Sequence, residues 1–448
     1  MATSSDNAPD RSAGVSYQAL IAKDAVPPPA VLKLENPLNI ALTSVPVGRY
    51  RDRAFHQLEM AQLWPRVWQM ACREEQIPDV GDYHVYEIGR YSILVVRTSQ
   101  GIKAHHNVCR HRGRRLCDRD GHAASFICPF HGFSWNIDGS LRAITSDWDF
   151  PHIDQRDFDL TPVQCDTWGG WVFINMDLAA GPLGEFLGEL PQHFAGWHPE
   201  ARYIQAHVGK VMNCNWKLCQ EAFMEALHVV TTHPQLLAAT GDENSQYDAW
   251  GNFSRAITPN GTPSPHIRWA PDEQEQFDSV TMRPLDAPPV AEVPEGMTAR
   301  AMLAAGSRAA LEKIIGSGTV VADAEVADSI YYTLFPNFHP WGGYNRIVYR
   351  FRPWQDRHDQ SLMECYYLSP FKGERPQPAE FHLLDENQPW TDAPELGMLA
   401  KVFTQDTFNL PNVQRGLAAA QFDEVVFARY QETKLRHFHH LLSKWLVV

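Results

Sequence analysis

Two short stretches decide how the first half of this chain folds: Asn107-Val-Cys-Arg-His-Arg-Gly113 and Cys128-Pro-Phe-His-Gly132. Each stretch places one cysteine and one histidine close together, and a glycine follows each pair. Because glycine adopts backbone conformations that other residues avoid, a loop can wrap around a bound group at these points. The pattern therefore predicts one metal centre. Its four expected ligands are Cys109, His111, Cys128 and His131.

Two metal centres fit this ligand set. Zinc takes cysteine and histidine in a tetrahedral site, and a Rieske 2Fe–2S cluster takes two cysteines on one iron and two histidines on the other. A zinc finger groups cysteine with cysteine and histidine with histidine, whereas each stretch of this chain contributes one of each. This distribution favours the 2Fe–2S cluster, with zinc as the alternative.

A second metal-binding pattern follows in residues 220–233, where His228 and His233 are five positions apart. The apolar spacing of residues 215–230 predicts a helix. On a helix, five positions correspond to a rotation of about 140°, so both rings can face one metal ion only if the helix ends between them. Pro234 favours such an end, because the residue before a proline avoids the helical region. Two histidines and one carboxylate form the facial triad of non-haem iron(II) oxygenases.

The chain also resembles a known family. The two cysteine–histidine stretches, with Gly139 behind them, are similar to the cluster-binding loops of the Rieske domain. With the histidine pattern and Asn215-Trp-Lys217 ahead of it, the chain resembles the catalytic α subunit of a Rieske non-haem iron oxygenase, from about residue 46 to the C-terminus. Two positions depart from the family pattern, since Phe130 stands where tyrosine is usual and Phe133 where tryptophan is usual. Neither departure removes a ligand.

The resemblance implies where the third iron ligand lies. The segment Thr404-Gln-Asp-Thr-Phe-Asn-Leu-Pro-Asn-Val-Gln-Arg-Gly416 is similar to the ligand helix of ring-hydroxylating oxygenases. Asp406 is therefore the expected ligand and Asp423 the alternative. The implied cofactors are one 2Fe–2S Rieske cluster and one mononuclear Fe(II), the latter held by His228, His233 and Asp406.

The resemblance further implies a carboxylate between the two centres. In the family, an acidic residue three positions before the first histidine ligand hydrogen-bonds that histidine and a cluster histidine of a neighbouring subunit. Here this residue is Glu225, at a position where many relatives have aspartate. Carried over, Glu225 would connect His228 to His131 across a subunit boundary and act as the catalytic link for electron transfer. Glu221, one turn earlier, is expected to be structural or solvated if it does not support the iron site.

The implied fold is α+β, with an all-β Rieske domain and a helix-grip (START-like) catalytic domain built on an antiparallel sheet. We expect an N-terminal extension over residues 1–45, the Rieske 2Fe–2S domain over 46–178 and the catalytic mononuclear iron domain over 179–448. Short β-branched and aromatic runs in the expected Rieske domain are typical of β-strands. Residues 240–300 are predicted to form long loops, and helices are predicted over residues 393–420 and 421–446. The histidine-rich segment near residue 437 is predicted to lie on a surface or an interface.

Composition excludes several other classes of protein. The formal net charge of -14 over 448 residues argues against nucleic-acid binding, which needs a basic patch. No apolar run approaches the roughly 20 residues that cross a bilayer, and the N-terminus does not resemble a secretory signal. Eight cysteines are too few for a disulfide scaffold in a chain of this length. A cytoplasmic protein that binds neither nucleic acid nor membrane is expected.

The resemblance implies an oxidoreductase that uses O2 and takes electrons from a separate ferredoxin and/or an NAD(P)H-dependent reductase. The expected reaction is cis-dihydroxylation of a small aromatic or apolar substrate by a dioxygenase, as in aromatic hydrocarbon catabolism. The alternative is a Rieske monooxygenase that performs O- or N-demethylation or a single hydroxylation. A minor alternative is an electron-transfer 2Fe–2S protein or a zinc module. The implied assembly is a trimer, either α3 or α3β3 with a small β subunit.

Overall fold

The structure is a computed structural model that describes residues 11–12, 14–154, 157–283, 288, 291–316 and 320–446. Its strands are β1 Ser44–Pro46, β2 Gln69–Arg73, β3 Asp82–Ile88, β4 Tyr91–Thr98, β5 Gly101–His106, β6 Gly121–His122, β7 Ser125–Ile127, β8 Ser134–Asn136, β9 Leu141–Ala143, β10 Pro162–Trp168, β11 Trp171–Asn175, β12 Arg202–Met212, β13 Gln246–Trp250, β14 Phe253–Thr258, β15 Ser329–Leu334, β16 Phe338–Pro340, β17 Ile347–Pro353, β18 Ser361–Pro370, β19 Phe381–Leu384 and β20 Glu424–Val426. Its α-helices are α1 Tyr17–Ile21, α2 Gly48–Arg51, α3 Arg53–Leu58, α4 Leu183–Leu187, α5 Leu190–Phe194, α6 Trp216–Glu221, α7 Val229–Thr232, α8 Glu273–Val280, α9 Ala299–Ile315, α10 Asp323–Ala327, α11 Leu399–Phe408, α12 Leu410–Ala419 and α13 Thr433–Leu446.

The first half of the chain forms two β-sheets. One has seven strands in the order β2-β11-β10-β5-β4-β3-β6, and the other has three in the order β7-β8-β9. A separate core of buried apolar side chains, which includes Leu94, Phe126 and Trp135, packs directly against Cys109 and Cys128. The predicted all-β domain is therefore confirmed, and its smaller core lies under the two cysteine–histidine loops.

The second half is built on an eight-stranded sheet in the order β13-β14-β15-β16-β17-β18-β12-β19. Its neighbouring strands are antiparallel except β12 and β19, which pair in parallel. Helix α6 contacts β17 and β18, while α13 contacts β13 and β14. Helices thus pack against a largely antiparallel sheet, and the predicted α+β fold class is confirmed.

A buried arginine, which is ion-paired within its own sheet, joins the two large sheets. Arg350 on β17 contacts Glu364 on β18 at 2.6 Å, and both side chains are almost fully buried. The same guanidinium donates to the backbone carbonyls of Met70 at 3.0 Å and Ala71 at 2.5 Å, both on β2. Because a buried charge without partners is strongly destabilising, the strands of the two halves are tied to each other at this point.

Several secondary-structure predictions were wrong. Residues 240–300 contain β13, β14 and α8 rather than only loops. The helix predicted over 393–420 is two helices that break at Asn409, because Pro411 occupies the first turn of α12 and cannot continue a preceding helix. The helix predicted over 421–446 is shorter, since it begins at Thr433 and β20 precedes it.

The chain ends are more closely packed than the sequence indicated. In the expected N-terminal extension, α1 is held by the Tyr17 hydroxyl, which donates to Asp328 at 3.0 Å, and β1 pairs with β20. Helix α13 was expected to place its histidines on a surface or an interface, but His437 and His439 are already buried within this chain. Among the described residues, no helix is long and apolar enough to cross a membrane.

A substitution at Gly139 tests the packing under the cluster loops. This residue has φ of 91°, and a Cβ atom there would overlap the buried ring of His105. We expect Gly139→Ala to lower the free energy of unfolding by roughly 2–4 kcal/mol, because backbone strain and overpacking add. The measurement is chemical denaturation of the cluster-loaded protein followed by circular dichroism.

The matched control is Gly101→Ala. Gly101 has φ of 106°, but no atom outside its immediate chain neighbours lies within 4 Å of a Cβ built there. The free energy of unfolding of Gly101→Ala should fall only by the cost of backbone strain, about 1–2 kcal/mol. Equal losses in the two variants would contradict the packing argument.

Candidate metal centres

The two cysteine–histidine loops share one backbone construction. The N–H groups of Cys109 and Cys128 each donate at 2.8 Å to the carbonyl five residues later. Gly113 and Gly132, each four residues after its cysteine, donate back to the cysteine carbonyl at 2.9 and 3.0 Å. Their φ angles are 76° and 77°, in a region that strongly favours glycine. Both loops therefore present their side chains in the same way.

The four expected cluster ligands converge between these loops. Cys109 and Cys128 are buried, and the rings of His111 and His131 lie 4.7 Å apart between centroids. Burial raises the pKa of the Cys109 thiol, while the backbone N–H of His111 works against this rise. The Nδ1 atom of His111 is buried without a hydrogen-bond partner. Because an unpartnered imidazole nitrogen and N–H groups aimed at a thiolate both suit an iron–sulfur cluster, these residues fit a 2Fe–2S group.

The phenylalanines that depart from the family pattern have different surroundings. Phe133 is buried and stacks on His111 with 4.6 Å between ring centroids and an interplanar angle of 9°. Phe130 is 55% exposed, and its ring lies 3.8 Å from that of His131. Phe133 therefore packs beneath the four expected cluster ligands, and Phe130 forms part of the surface beside them.

The second metal pattern lies in a segment that is not one helix. Helix α6 ends at Glu221, so the helix predicted over residues 215–230 is too long. The physical reason is that backbone donors bind side chains instead of helical carbonyls. The Ala226 N–H donates to the Tyr247 hydroxyl at 3.0 Å, and the N–H of His228 donates to the Glu225 carboxylate at 3.0 Å. Glu225 and His228 consequently share a turn rather than a helix face.

Helix α7 separates the two histidines, since His228 precedes it and His233 follows it. Asp406 lies in the last turn of α11. Its Oδ1 is 2.5 Å from Nε2 of His233 and 3.6 Å from Nε2 of His228. The donor atoms of all three lie within 4.8 Å of one another. Asp423 is exposed just before β20 and does not belong to this group.

Hydrogen bonds fix which nitrogen each histidine presents. Nδ1 of His228 is 2.8 Å from Glu225 Oε1, and Nδ1 of His233 is 3.0 Å from Gln405 Oε1. A carboxylate or amide oxygen only accepts, so each Nδ1 carries a proton, and the lone pair on each Nε2 is available to a cation bound beside Asp406. Oxygen acceptors on the far ring nitrogen are typical of metal-ligating histidines. These three residues therefore fit a mononuclear iron.

Electrostatics agree with a cation at this position. Burial lowers the pKa of His228, but the negative charges of Glu225 and then Asp406 outweigh it and raise the pKa. The same charges stabilise any positive charge placed among the three donors.

The sequence did not single out Gln405. It immediately precedes Asp406 on α11, and its side-chain oxygen accepts from both His233 and Gln235, the latter at 2.9 Å. The only signal in the sequence was its adjacency to the expected ligand. Gln405 also lines a cavity of about 800 Å³. The apolar part of the cavity wall includes Ala238, Trp269, Met282, Met398 and Val402, and its charged part includes Glu275, Asp278, Arg283 and Lys401.

Comparison with known families agrees with this geometry. Residues 192–447, more than half of the chain, match the model of the ring hydroxylating alpha subunit (catalytic domain). The chain belongs to the ring-hydroxylating α-subunit family. Residues 67–151 match the Rieske [2Fe-2S] domain. The predicted 2Fe–2S and mononuclear iron cofactors are therefore confirmed at the level of the domains, and the Rieske match disfavours the zinc alternative.

Relatives with assigned names include both monooxygenases and dioxygenases. The chain is 31% identical over 196 residues to a glycine betaine monooxygenase oxygenase subunit of Pseudomonas aeruginosa, covering 43% of this chain and 46% of the relative. It is 31% identical over 196 residues to the biphenyl 2,3-dioxygenase subunit alpha of Rhodococcus jostii, covering 41% and 42%. The matched stretch thus spans less than half the length of these relatives.

Solved structures share the fold over nearly the whole chain. A quaternary ammonium Rieske monooxygenase studied for carnitine oxidation matches with a TM-score of 0.63 at 17% identity, covering 90% of this chain and 95% of that one. A naphthalene 1,2-dioxygenase bound to phenanthrene matches with a TM-score of 0.63 at 17% identity, covering 91% and 93%. At this identity the likeness concerns the fold alone.

Glu221 is neither solvated nor in contact with the iron ligands. It is buried, its carboxyl accepts from the Tyr50 hydroxyl at 3.0 Å, and it contacts Nε2 of His439 at 2.8 Å. Arg49 contacts Nδ1 of His439 at 3.1 Å, and a guanidinium only donates, so the proton of this imidazole is on Nε2. Burial raises the pKa of Glu221 to about 8.

This raised pKa predicts a pH-dependent stability. Between the unfolded pKa of about 4.3 and the folded pKa of about 8, the folded state binds a proton that the unfolded state has lost. The contribution of Glu221 to the free energy of unfolding is therefore greatest below about pH 4.3, and it is lost as the pH rises to about 8. Glu221→Gln keeps the shape of the side chain and removes this loss. Its melting temperature should exceed that of the wild type by a margin that grows from pH 6 to pH 8, measured by calorimetry. A margin independent of pH would contradict the assignment.

Proposed function

We propose that this chain is the oxygenase component of a Rieske non-haem iron oxygenase. In this proposal Cys109, His111, Cys128 and His131 hold the cluster, and His228, His233 and Asp406 hold the mononuclear iron. The observation that carries the proposal is the convergence of two Nε2 atoms on one carboxylate, with both Nδ1 atoms bound to oxygen acceptors. When bound, the cluster stores an electron and the mononuclear iron activates O2. The protein side chains hold the imidazole protons away from the metal.

The iron centre lies near a surface with exposed apolar side chains. Leu227, beside His228, is 36% exposed, and Phe408, two residues after Asp406, is 72% exposed. Phe130, beside His131, is exposed as well. The family resemblance, together with these exposed side chains beside both centres, supports a trimer in which His131 of one protomer lies against Glu225 of its neighbour, with or without a small β subunit.

Electrons would reach the cluster from a separate ferredoxin and/or NAD(P)H-dependent reductase, which is the role that such partners have in this family. We further propose that the Rieske domain extends over residues 46–178 and the catalytic domain over residues 179–448, after an extension over residues 1–45. We also propose a cytoplasmic location, and the acidic net charge of -14 supports a protein that does not bind nucleic acid.

We propose single oxygenation rather than cis-dihydroxylation as the reaction. Relatives named as glycine betaine and choline monooxygenases support this choice over the dioxygenase expected from the sequence. The cavity beside Gln405 supports a small organic cation as substrate, since it combines the Trp269 ring with the Glu275 carboxylate, while Asp278 in the same wall is paired with Arg283 at 2.9 Å. Aromatic faces and carboxylates both attract quaternary ammonium groups.

Product analysis tests the reaction type. The iron-loaded, pre-reduced protein is offered glycine betaine, choline, carnitine and biphenyl, then exposed to O2, and the products are measured by mass spectrometry. We expect loss of a methylene unit with formaldehyde, or gain of one oxygen atom, from a quaternary ammonium substrate. Gain of two oxygens and two hydrogens by biphenyl alone would overturn the monooxygenase proposal.

Glu225→Gln tests the bridging role. The amide can still accept from His228, so both metals should remain bound, but the negative charge between the centres is lost. Turnover should fall roughly 10–100-fold, as expected for a group in direct contact with a metal ligand. Iron content and cluster absorption serve as checks on metal loading.

The matched control for this variant is Glu221→Gln. It removes a carboxylate four positions earlier whose described partners are Tyr50 and His439 rather than an iron ligand. Its turnover should stay near the wild-type level. Full activity of Glu225→Gln would eliminate the bridging role.

A further inference from the structure

The turn that carries Glu225 is anchored on its N-terminal side, where Met224 is buried and Phe223 packs against aromatic side chains of the core. Residues 222–228 lie between α6 and α7, and Leu227 faces outward. Within this turn, Glu225 accepts from both Nδ1 and N–H of His228, at 2.8 and 3.0 Å. These two bonds connect the two residues to each other and do not fix their position relative to the sheet.

A long-range hydrogen bond provides a second attachment, on the C-terminal side of Glu225. The Ala226 N–H, between Glu225 and Leu227 in the chain, donates to the Tyr247 hydroxyl at 3.0 Å. Ala226 and Tyr247 are both 2% exposed. Tyr247 lies on β13, so the bond joins the turn to the central sheet of the catalytic half.

Tyr247 is itself held in place from several sides. Its ring packs edge-on against Tyr430, with 5.3 Å between centroids. Its hydroxyl lies near the hydroxyls of Ser245 and Tyr331, and Tyr331 contacts Thr258 at 3.1 Å. Ser245 and Thr258 contact each other at 2.8 Å. The acceptor for the Ala226 N–H therefore belongs to a buried cluster of four hydroxyl groups: Ser245, Tyr247, Thr258 and Tyr331.

We propose that Tyr247 is a positioning residue for the iron centre. Its hydroxyl fixes the turn at Ala226, and thereby sets the location of the Glu225 carboxylate and of the His228 ring relative to His233 and Asp406. The inference rests on the proposed function, because it takes His228 as an iron ligand. It adds a residue that touches neither metal ligand nor substrate.

The test compares Tyr247→Phe with Tyr331→Phe in the metal-loaded protein. Both variants remove one hydroxyl from the same buried cluster and keep the ring, but only Tyr247 bonds to the turn. For Tyr247→Phe we expect the mononuclear iron to be lost to a chelator roughly tenfold more readily, in line with the effect of removing support from a metal-ligating histidine. The electron paramagnetic resonance spectrum of its nitric oxide adduct should change shape, and kcat should fall with little change in KM. The cluster absorption should be unaltered.

Tyr331→Phe should match the wild type in chelator resistance and in the nitric oxide spectrum. Equal changes in the two variants, or no change in Tyr247→Phe, would overturn the positioning role. Failure of the proposed function is distinguishable, because the wild type would then hold no mononuclear iron.

A measurement on the unaltered protein covers the case in which Tyr247→Phe does not fold. Hydrogen exchange resolved to single residues should show the Ala226 amide strongly protected and the Leu227 amide fast, since buried, bonded amides open rarely. Rapid exchange at Ala226 would show that the bond to Tyr247 does not hold the turn, and would overturn the proposal.

Discussion

The structure around the iron centre depends on one requirement: two imidazoles must each keep the lone pair on Nε2 available to a cation beside the same carboxylate. Each ring can do so only if Nδ1 carries its proton to an acceptor. Glu225 supplies the acceptor for His228 and Gln405 the acceptor for His233. From this requirement follow the turn after α6, in which Glu225 faces His228, and the position of Gln405 beside Asp406 on α11. A cation bound among His228, His233 and Asp406 would offset the cost of burying the Asp406 carboxylate.

The two metal centres are assembled by different physical means. The cluster loops are local structures, since each closes on itself through backbone bonds within six residues and a glycine at positive φ. The iron centre is assembled from distant segments, because Asp406 and Gln405 reach His233 across more than 170 positions of sequence. A local loop can be recognised from spacing, whereas a distant contact needs the whole sheet and its helices to be in place.

The chain is similar both to relatives named as monooxygenases and to relatives named as dioxygenases. Membership of the family therefore identifies the class of chemistry, and the number of oxygen atoms added depends on features other than the family. The cavity next to Gln405 is formed by α8, α11 and the segment that contains Trp269. Because these elements are far apart in sequence, their combined chemistry became visible only when they were brought together.

By itself, the sequence determined the cysteine–histidine pairs, the two histidines of the iron centre and, through resemblance, Asp406, Glu225 and the α+β class. These features can be recognised in the sequence because ligand chemistry and loop glycines depend on single residues and on short spacings between them. The tertiary structure decided that residues 222–228 leave the helix, that His439 is buried against Glu221, and that Gln405 and Tyr247 support the centre. Those features arise where a side chain from another segment takes a hydrogen bond that the local backbone would otherwise make, and helix propensity contains no information about such a partner.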